Sequence, residues 1–460
     1  MRKTGKRIIA MSLACTMALT LAACGKKADT KPAETTKAAE TTVAADATTT
    51  AAGTTAAEPV ELRCAWWGGD GRHEATEKAI AAFEAKYPTI KVTPEYGAWS
   101  GWEEKQALNI VAGDGADVMQ INWNWIESYS QGGTSFANLE DYADVLDLTQ
   151  FPENAVDLCK ADGKLMAVPI SLTGRLFYWN KTTFDEIGCA IPTDEASLFA
   201  AGAAFKAKGD DYYPLTLGEY DRMTFMVYYL ESVYGKAWVE DGKLNYTEEE
   251  IKTGIDFINR LQAEHVIPSM ATINGGMTDS FDQDPRWING QFAGMFVWDS
   301  GAPNAIKAVS ESVDKPGQEF VLGDFVKFGE YQGGFTKISM CFAVAANSKH
   351  PKEAAMLINF LLNDPEGIEI ASTERGIPCS KAAIEVLNAK NIGNAMVKEA
   401  NAKVLAYSKF PLDSKFESND LKASPDGVYY KIFGKLSSGD LDSATAAKDL
   451  MAGINECLEG

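Results

Sequence analysis

Histidine is almost missing from this chain: His73, His265 and His350 are the only three in 460 residues. Its eight cysteines contain no C-x-x-C spacing. Metal sites need several such groups close together, so neither a metal centre nor a cofactor is expected. Basic side chains are also scarce, with 43 Lys and Arg against 64 Asp and Glu and a net charge of −21. Phosphate backbones are bound by basic patches, so nucleic acid is excluded as a partner. There is no phosphate-binding loop, no repeat of solenoid period and no apolar run of spanning length. Among the cysteines, Cys64 and Cys341 lie in apolar strand-like runs and read as small buried hydrophobes.

The N-terminus is a targeting segment. Arg2, Lys3, Lys6 and Arg7 precede an apolar run from Ile8 to Leu19 that is too short to span a bilayer. Leu21-Ala22-Ala23-Cys24 then resembles the bacterial lipobox, which implies a signal peptide over 1–23 and a lipid on the Cys24 thiol. Two or more acyl chains hold a protein at a membrane without spanning it. Residues 25–59 are mostly Ala, Thr, Glu, Lys and Asp. They cannot bury enough apolar surface to offset ordering entropy, so 24–59 reads as a lipidated cysteine with a disordered tether. A long tether suits a Gram-positive-type bacterium, whose anchored protein must clear a thick wall.

One stretch carries the chemistry. Val118, Met119 and Ile121 read as a buried strand, and Asn122-Trp123-Asn124-Trp125 then alternates amide and indole. Flat aromatic faces stack on the C–H faces of sugar rings, and amides both donate to and accept from hydroxyls. Ligands of open α/β sheets sit beyond the carboxyl ends of the strands, where this cluster falls.

From Val60 the pattern is strand, helix, strand, helix, strand, which implies a parallel sheet in an α/β fold. Ser171-Leu172-Thr173 reads as a hinge between two extended runs, and Asp299-Ser300-Gly301 as a second crossing. The C-terminal part reads as helical.

Several motifs resemble the extracellular solute-binding proteins of family 1, the sugar-capturing receptors of ABC importers. They are Phe83-Glu84-Ala85-Lys86-Tyr87-Pro88, Ala116-Asp117-Val118, Ala167-Val168-Pro169, Tyr178-Trp179-Asn180-Lys181, Phe292-Ala293-Gly294-Met295-Phe296 and Pro351-Lys352-Glu353-Ala354-Ala355. Trp66-Trp67-Gly68-Gly69-Asp70-Gly71-Arg72-His73 and Met119-Gln120-Ile121-Asn122-Trp123 are similar to the branch with receptors for pectic and rhamnogalacturonan fragments. That branch also contains receptors for neutral oligosaccharides. The resemblance implies a two-lobe periplasmic-binding-protein-like fold of type II, hinge-linked with a central ligand cleft. It divides the chain into 60–171 and 299–343 for the first lobe and 172–298 and 344–460 for the second. It further implies a monomer at the extracellular face of the cell membrane. Its partners are an oligosaccharide ligand and the ABC permease subunits.

The expected ligand-binding residues are Trp66, Trp67, Trp99, Asn122, Trp123 and Trp125 for stacking and hydroxyl pairing, with Trp298 and Asp299 as a second such pair. Arg72, with His73 beside it, is expected to fork onto a uronate carboxylate or onto sugar hydroxyls, with a surface ion pair as the structural alternative. Arg175 and Tyr178 flank the hinge, Gly334 and Phe335 form a loop that approaches ligand, and Arg375 faces the cleft. Strand alternation puts Trp66 and Trp67 on opposite faces, so one of them belongs to the core. No catalytic residue is assigned. Two rival classes remain at this point: a secreted glycoside hydrolase or polysaccharide lyase, with His73 the only histidine near the aromatic cluster, and a surface carbohydrate adhesin or sensor.

Overall fold

The computed structural model describes residues 59–459 apart from 100, 131–133 and 277–282. The leader, Cys24 and the tether lie outside the described residues. Ten strands build two principal sheets. In chain order they begin with β1 (Val60–Trp67), β2 (Ile90–Gly97), β3 (Val118–Asn122), β4 (Val168–Pro169) and β5 (Leu172–Asn180). They continue with β6 (Gly294–Trp298), β7 (Phe320–Leu322), β8 (Phe335–Ile338), β9 (Met340–Val344) and β10 (Phe410–Pro411).

The first sheet runs β2-β1-β3-β9-β4, with β1 parallel to both β2 and β3 and β9 antiparallel to β3 and β4. Helices cover its faces, so β9, between β3 and β4, is apolar throughout and every residue of it is buried. The helix Asp70–Lys86 buries Ala75, Thr76, Ala79, Ile80 and Phe83 along one stripe. It starts at Asp70, where Gly69 is extended at the N-cap and Asp70 complements the dipole of the first turn.

The second sheet runs β6-β5-β8-β10, with β7 added beside β5. Here β5 is antiparallel to β6, β7 and β8. The helix Glu248–Ala263 packs in this lobe through Ile251, Ile255, Ile258 and Leu261. Its start is set by Thr247 and Glu250, which bond each other's backbone in a reciprocal cap. The C-terminal helix Ser443–Glu459 packs against it.

Two chain crossings lie side by side between the lobes. Ile170 N–H donates to Met340 O at 2.9 Å, and Ser339 N–H donates to Ser171 O at 2.9 Å. The Ser171 hinge therefore pairs with a second at Ile338–Met340. A third crossing joins the helix Lys381–Ala389, packed with the first lobe's helices, to the helix Ala395–Tyr407, whose Ala400 and Val404 enter the second core.

These crossings move the expected boundaries. Residues 299–337 belong with the second lobe, since Ala302, Ala305, Val309 and Phe320 all enter its core. The return to the first lobe comes only at β9, which fits between β3 and β4, and the helix Pro351–Asn363 stays with it. Asp299-Ser300-Gly301 is a turn into the helix Ala302–Ser310, not a crossing. Cys64, Cys159, Cys341 and Cys379 are buried free thiols of the first core, and Cys189 and Cys457 are free thiols nearer the surface. No helix among the described residues is long and apolar enough to cross a membrane.

Candidate binding cleft

A cleft of about 470 Å³ lies between the lobes at the tips of β1, β3 and β6. Trp67, Trp99, Asn122 and Asn124 line it from the first lobe, and Trp298 lines it from the second. Strand alternation decides which indole of the β1 pair arrives there: Trp66 turns inward and is fully buried, while Trp67 turns out to the cleft. Trp99 lies 5.0 Å from Trp67 between ring centroids and is 44% exposed. Part of that surface is thus available for stacking.

Other expected residues stand behind this surface. Trp125 is buried beneath Trp67 and Trp99, at 5.8 and 6.3 Å, and its indole N–H donates to Glu103 Oε1 at 2.8 Å. Arg175 lies 5.0 Å from the Trp298 ring centroid, and its guanidinium is engaged by Asp221 at 2.7 Å, Thr224 at 2.6 Å and the Phe296 carbonyl at 3.0 Å. Phe335 meets Trp298 edge-on at 6.0 Å. These three position the cleft aromatics and do not line the cleft themselves.

The remaining expected residues are structural. Trp66 donates its indole N–H to His73 Nδ1 at 3.1 Å, and His73 stacks on Tyr96. Trp123 is buried and donates to the Leu158 carbonyl at 2.8 Å. Arg72 donates to the carbonyls of Glu374 and Trp67 at 2.9 and 3.0 Å, which clasps the first turn of its helix to a distant loop. Arg375 donates to Gln120 at 2.7 Å and Thr76 at 2.8 Å. Burial pushes both guanidiniums down, Arg72 to about 10 and Arg375 to about 9, and both stay charged at neutral pH. Beside Arg375 lies a small apolar cavity of only about 30 Å³. Tyr178 is buried, with its hydroxyl donating to the Asp299 carbonyl at 3.2 Å. Asp299 accepts from Thr173 and from Asn401, whose amide also donates to the Leu172 carbonyl, so it braces the hinge. Gly334 takes a positive φ of 93° that other residues resist, and its N–H donates to Glu231 within the second lobe.

The charged side chains of the cleft are unevenly divided. Glu103 and Glu104 lie on the first wall. On the second, Glu417 is ion-paired with Lys337 and with Lys422, the latter at 3.3 Å, and accepts the Tyr220 hydroxyl at 2.7 Å. Burial alone would raise the Glu417 carboxyl, but the two ammonium groups and these hydrogen bonds outweigh it and hold it far below its ordinary range. Burial pushes Lys337 down to about 8, against the pull of Glu417. Burial likewise raises the Glu103 carboxyl, opposed by the Trp125 indole and by Lys422.

A bacterial extracellular solute-binding protein profile matches residues 69–368, well over half of the chain. The chain belongs to that family. A periplasmic solute-binding protein of Pectobacterium atrosepticum is 33% identical, with a TM-score of 0.80 over 87% of this chain and 99% of its own. A periplasmic oligogalacturonide-binding protein of Yersinia enterocolitica, solved with saturated digalacturonic acid, is 30% identical, with a TM-score of 0.77 over 87% of this chain and 99% of its own. A multiple sugar-binding protein of Streptococcus mutans is 23% identical over 62% of this chain and 67% of its own.

This solute-binding protein is therefore a receptor and not an enzyme. The two-lobe fold expected from its motifs is the one observed. The sequence reading missed Glu103, Lys337, Glu417 and Lys422. Lys337 did carry a signal, as the single charge in the strand-like run Phe335-Thr336-Lys337-Ile338. Glu417 and Lys422 lie in a segment that reads only as helical surface, and tertiary folding alone brings it across to Trp298.

Proposed function

We propose that this solute-binding protein is the lipid-anchored receptor of an ABC importer, capturing an extracellular oligosaccharide by closure of its lobes and delivering it to a membrane permease. The observation that carries this reading is the placing of indoles on both walls of one cleft, Trp67 and Trp99 opposite Trp298. Such walls stack on the faces of sugar rings, while Asn122, Asn124 and Glu103 are suited to pair with hydroxyls. Hydrogen-bonded crossings at Ser171 and Ser339 suit a rigid-body rotation of one lobe against the other. Closure follows from contacts that the ligand makes only when both walls meet it. The lipobox-like Leu21-Ala22-Ala23-Cys24 supports the anchor, and the segment after it would act as the tether.

The reading is tested by calorimetric titration of the protein, freed of its leader, with a panel of neutral and acidic oligosaccharides, followed by small-angle scattering. The expected result is micromolar or tighter binding of at least one member, with a smaller radius of gyration in its presence and no chain shortening. Failure of every oligosaccharide to bind would sink it. The anchor is tested separately, since Cys24→Ala should release the protein from the membrane fraction.

A further inference from the structure

We propose that Cys159 and Cys341 close into a buried disulfide as the chain folds, stapling the first lobe where its hinge strands begin. Their sulfurs lie 3.7 Å apart, although the two residues are 182 positions distant in sequence. Both side chains are fully buried. A disulfide is about 2.0 Å long, so the sulfurs have only about 1.7 Å left to close. Cys159 follows the short helix Glu153–Asp157, and its carbonyl accepts the Met166 N–H at 3.1 Å. Cys341 lies in β9, in register with Ile121 of β3 on one side and Pro169 of β4 on the other. The bond would thus tie the segment that leads into β4 to the strand beside it.

The remaining thiols are placed differently. Cys379 is the third sulfur of this region, but it donates to the Pro169 carbonyl at 3.4 Å. Cys189 donates to the Ala190 carbonyl at 3.5 Å, and Cys457 lies 3.0 Å from the Ser418 hydroxyl. Among the described residues, no other pair of sulfurs shares a hydrogen bond. The family is extracellular, and disulfides persist outside the reducing cytosol.

The chemistry requires an oxidant that itself carries a disulfide, whether protein or small molecule. One cysteine thiolate attacks that bond, forming a mixed disulfide and releasing one thiol of the oxidant. The second thiolate attacks the mixed disulfide, which closes Cys159 onto Cys341 and releases the oxidant's other thiol. The two cysteine protons and two electrons end on the oxidant, now reduced to two thiols. Burial pushes the Cys341 thiol up, so the folded lobe offers little thiolate, and the bond is made before packing is complete. Its position matters to the hinge. Cys341 follows Met340, whose carbonyl accepts the Ile170 N–H at the crossing. A closed ring of this length also removes much chain entropy from the unfolded state.

The test refolds the protein, freed of its leader and of Cys24, in a mixture of reduced and oxidised glutathione. Thiols are then counted in guanidinium. Six cysteines remain and the bond removes two, so four are expected to titrate, with non-reducing peptide mapping that links Cys159 to Cys341. Refolding in excess reductant should lower the melting temperature by about 5 °C or more. The double variant Cys159→Ala, Cys341→Ala should lose the sensitivity of its melting temperature to reductant. Six titratable thiols, or a bond that uses Cys379 or any other partner, overturns the proposal. Both counts are made on wild type and hold even if the variant folds poorly. A wild-type melting temperature that reduction does not move overturns the stapling role.

Discussion

The side-chain amide of Asn124 donates a hydrogen bond of 3.2 Å to the main-chain carbonyl of Glu417, 293 residues further along the chain. Asn124 follows β3 in the first lobe, and Glu417 is the ion-pair hub of the second, so this bond bridges the cleft. The other end of the same amide, Asn124 Oδ1, is buried with no protein partner. A buried acceptor left open costs free energy, and a ligand hydroxyl would satisfy it.

Replacing Asn124 with alanine removes both functions. The expected outcome is a more open ligand-free protein and an affinity reduced by about 3- to 10-fold, the worth of one net hydrogen bond. Small-angle scattering reads the first and calorimetry the second. An unchanged radius of gyration would show that the bond does not hold the lobes together.

The indoles should separate into two classes. Trp99→Ala, at a half-exposed cleft position, is expected to weaken oligosaccharide binding by about 10-fold or more while shifting the melting temperature little. Trp66→Ala, at a fully buried one, should cost about 3–5 kcal/mol of stability. Denaturant unfolding and titration of both variants check the contrast. Equal stability losses would contradict the placement of Trp99 on the cleft wall.

Arg72→Ala is expected to leave discrimination between charged and neutral ligands intact. It should instead destabilise the first lobe by about 1.5–3 kcal/mol, through loss of charged hydrogen bonds to the Glu374 and Trp67 carbonyls. Urea unfolding reads the stability, and the affinity ratio of digalacturonate to its dimethyl ester reads the specificity. A collapse of that ratio would return the carboxylate-reading role to Arg72.

Asp299 introduces a pH dependence of known sign. Burial raises its carboxyl to about 6, against the hydrogen bonds from Thr173 and Asn401. The folded protein therefore holds this proton more tightly than the unfolded chain, whose aspartates titrate near ~3.9. The stability it contributes is complete below that value and is lost as pH rises through about 6. Two pH units correspond to about 3 kcal/mol at most. Glu417 acts in the opposite sense: its depressed carboxyl contributes stability that is lost only at more acidic pH. The melting temperature is therefore expected to fall between about pH 5 and 7.5, and Asp299→Asn to flatten that slope. A profile identical to wild type would contradict the assignment.

Much of this architecture is written locally. The apolar residues Val118, Met119 and Ile121, the stripe Ala79-Ile80-Phe83 and the Thr247–Glu250 cap each declare their element within a few residues, because burial and capping act over one turn or one pleat. The aromatic tips were legible for the same reason, since indoles at strand ends stand out from core positions. Which of them reach the cleft was legible only in part. Alternation divided Trp66 from Trp67, but nothing local shows that Trp123 turns to Leu158 while Trp99 stays exposed.

Sequence alone determined the α/β fold, the family and the aromatic chemistry at the ends of β1 and β3, since these rest on patterns within short windows. Tertiary structure decided the lobe boundaries, the structural duty of Arg72 and Arg375, and the meeting of Lys337, Glu417 and Lys422 beside Trp298. Those depend on which distant segments share a sheet or a wall. Long-range packing settles such questions, and local spacing carries no record of them.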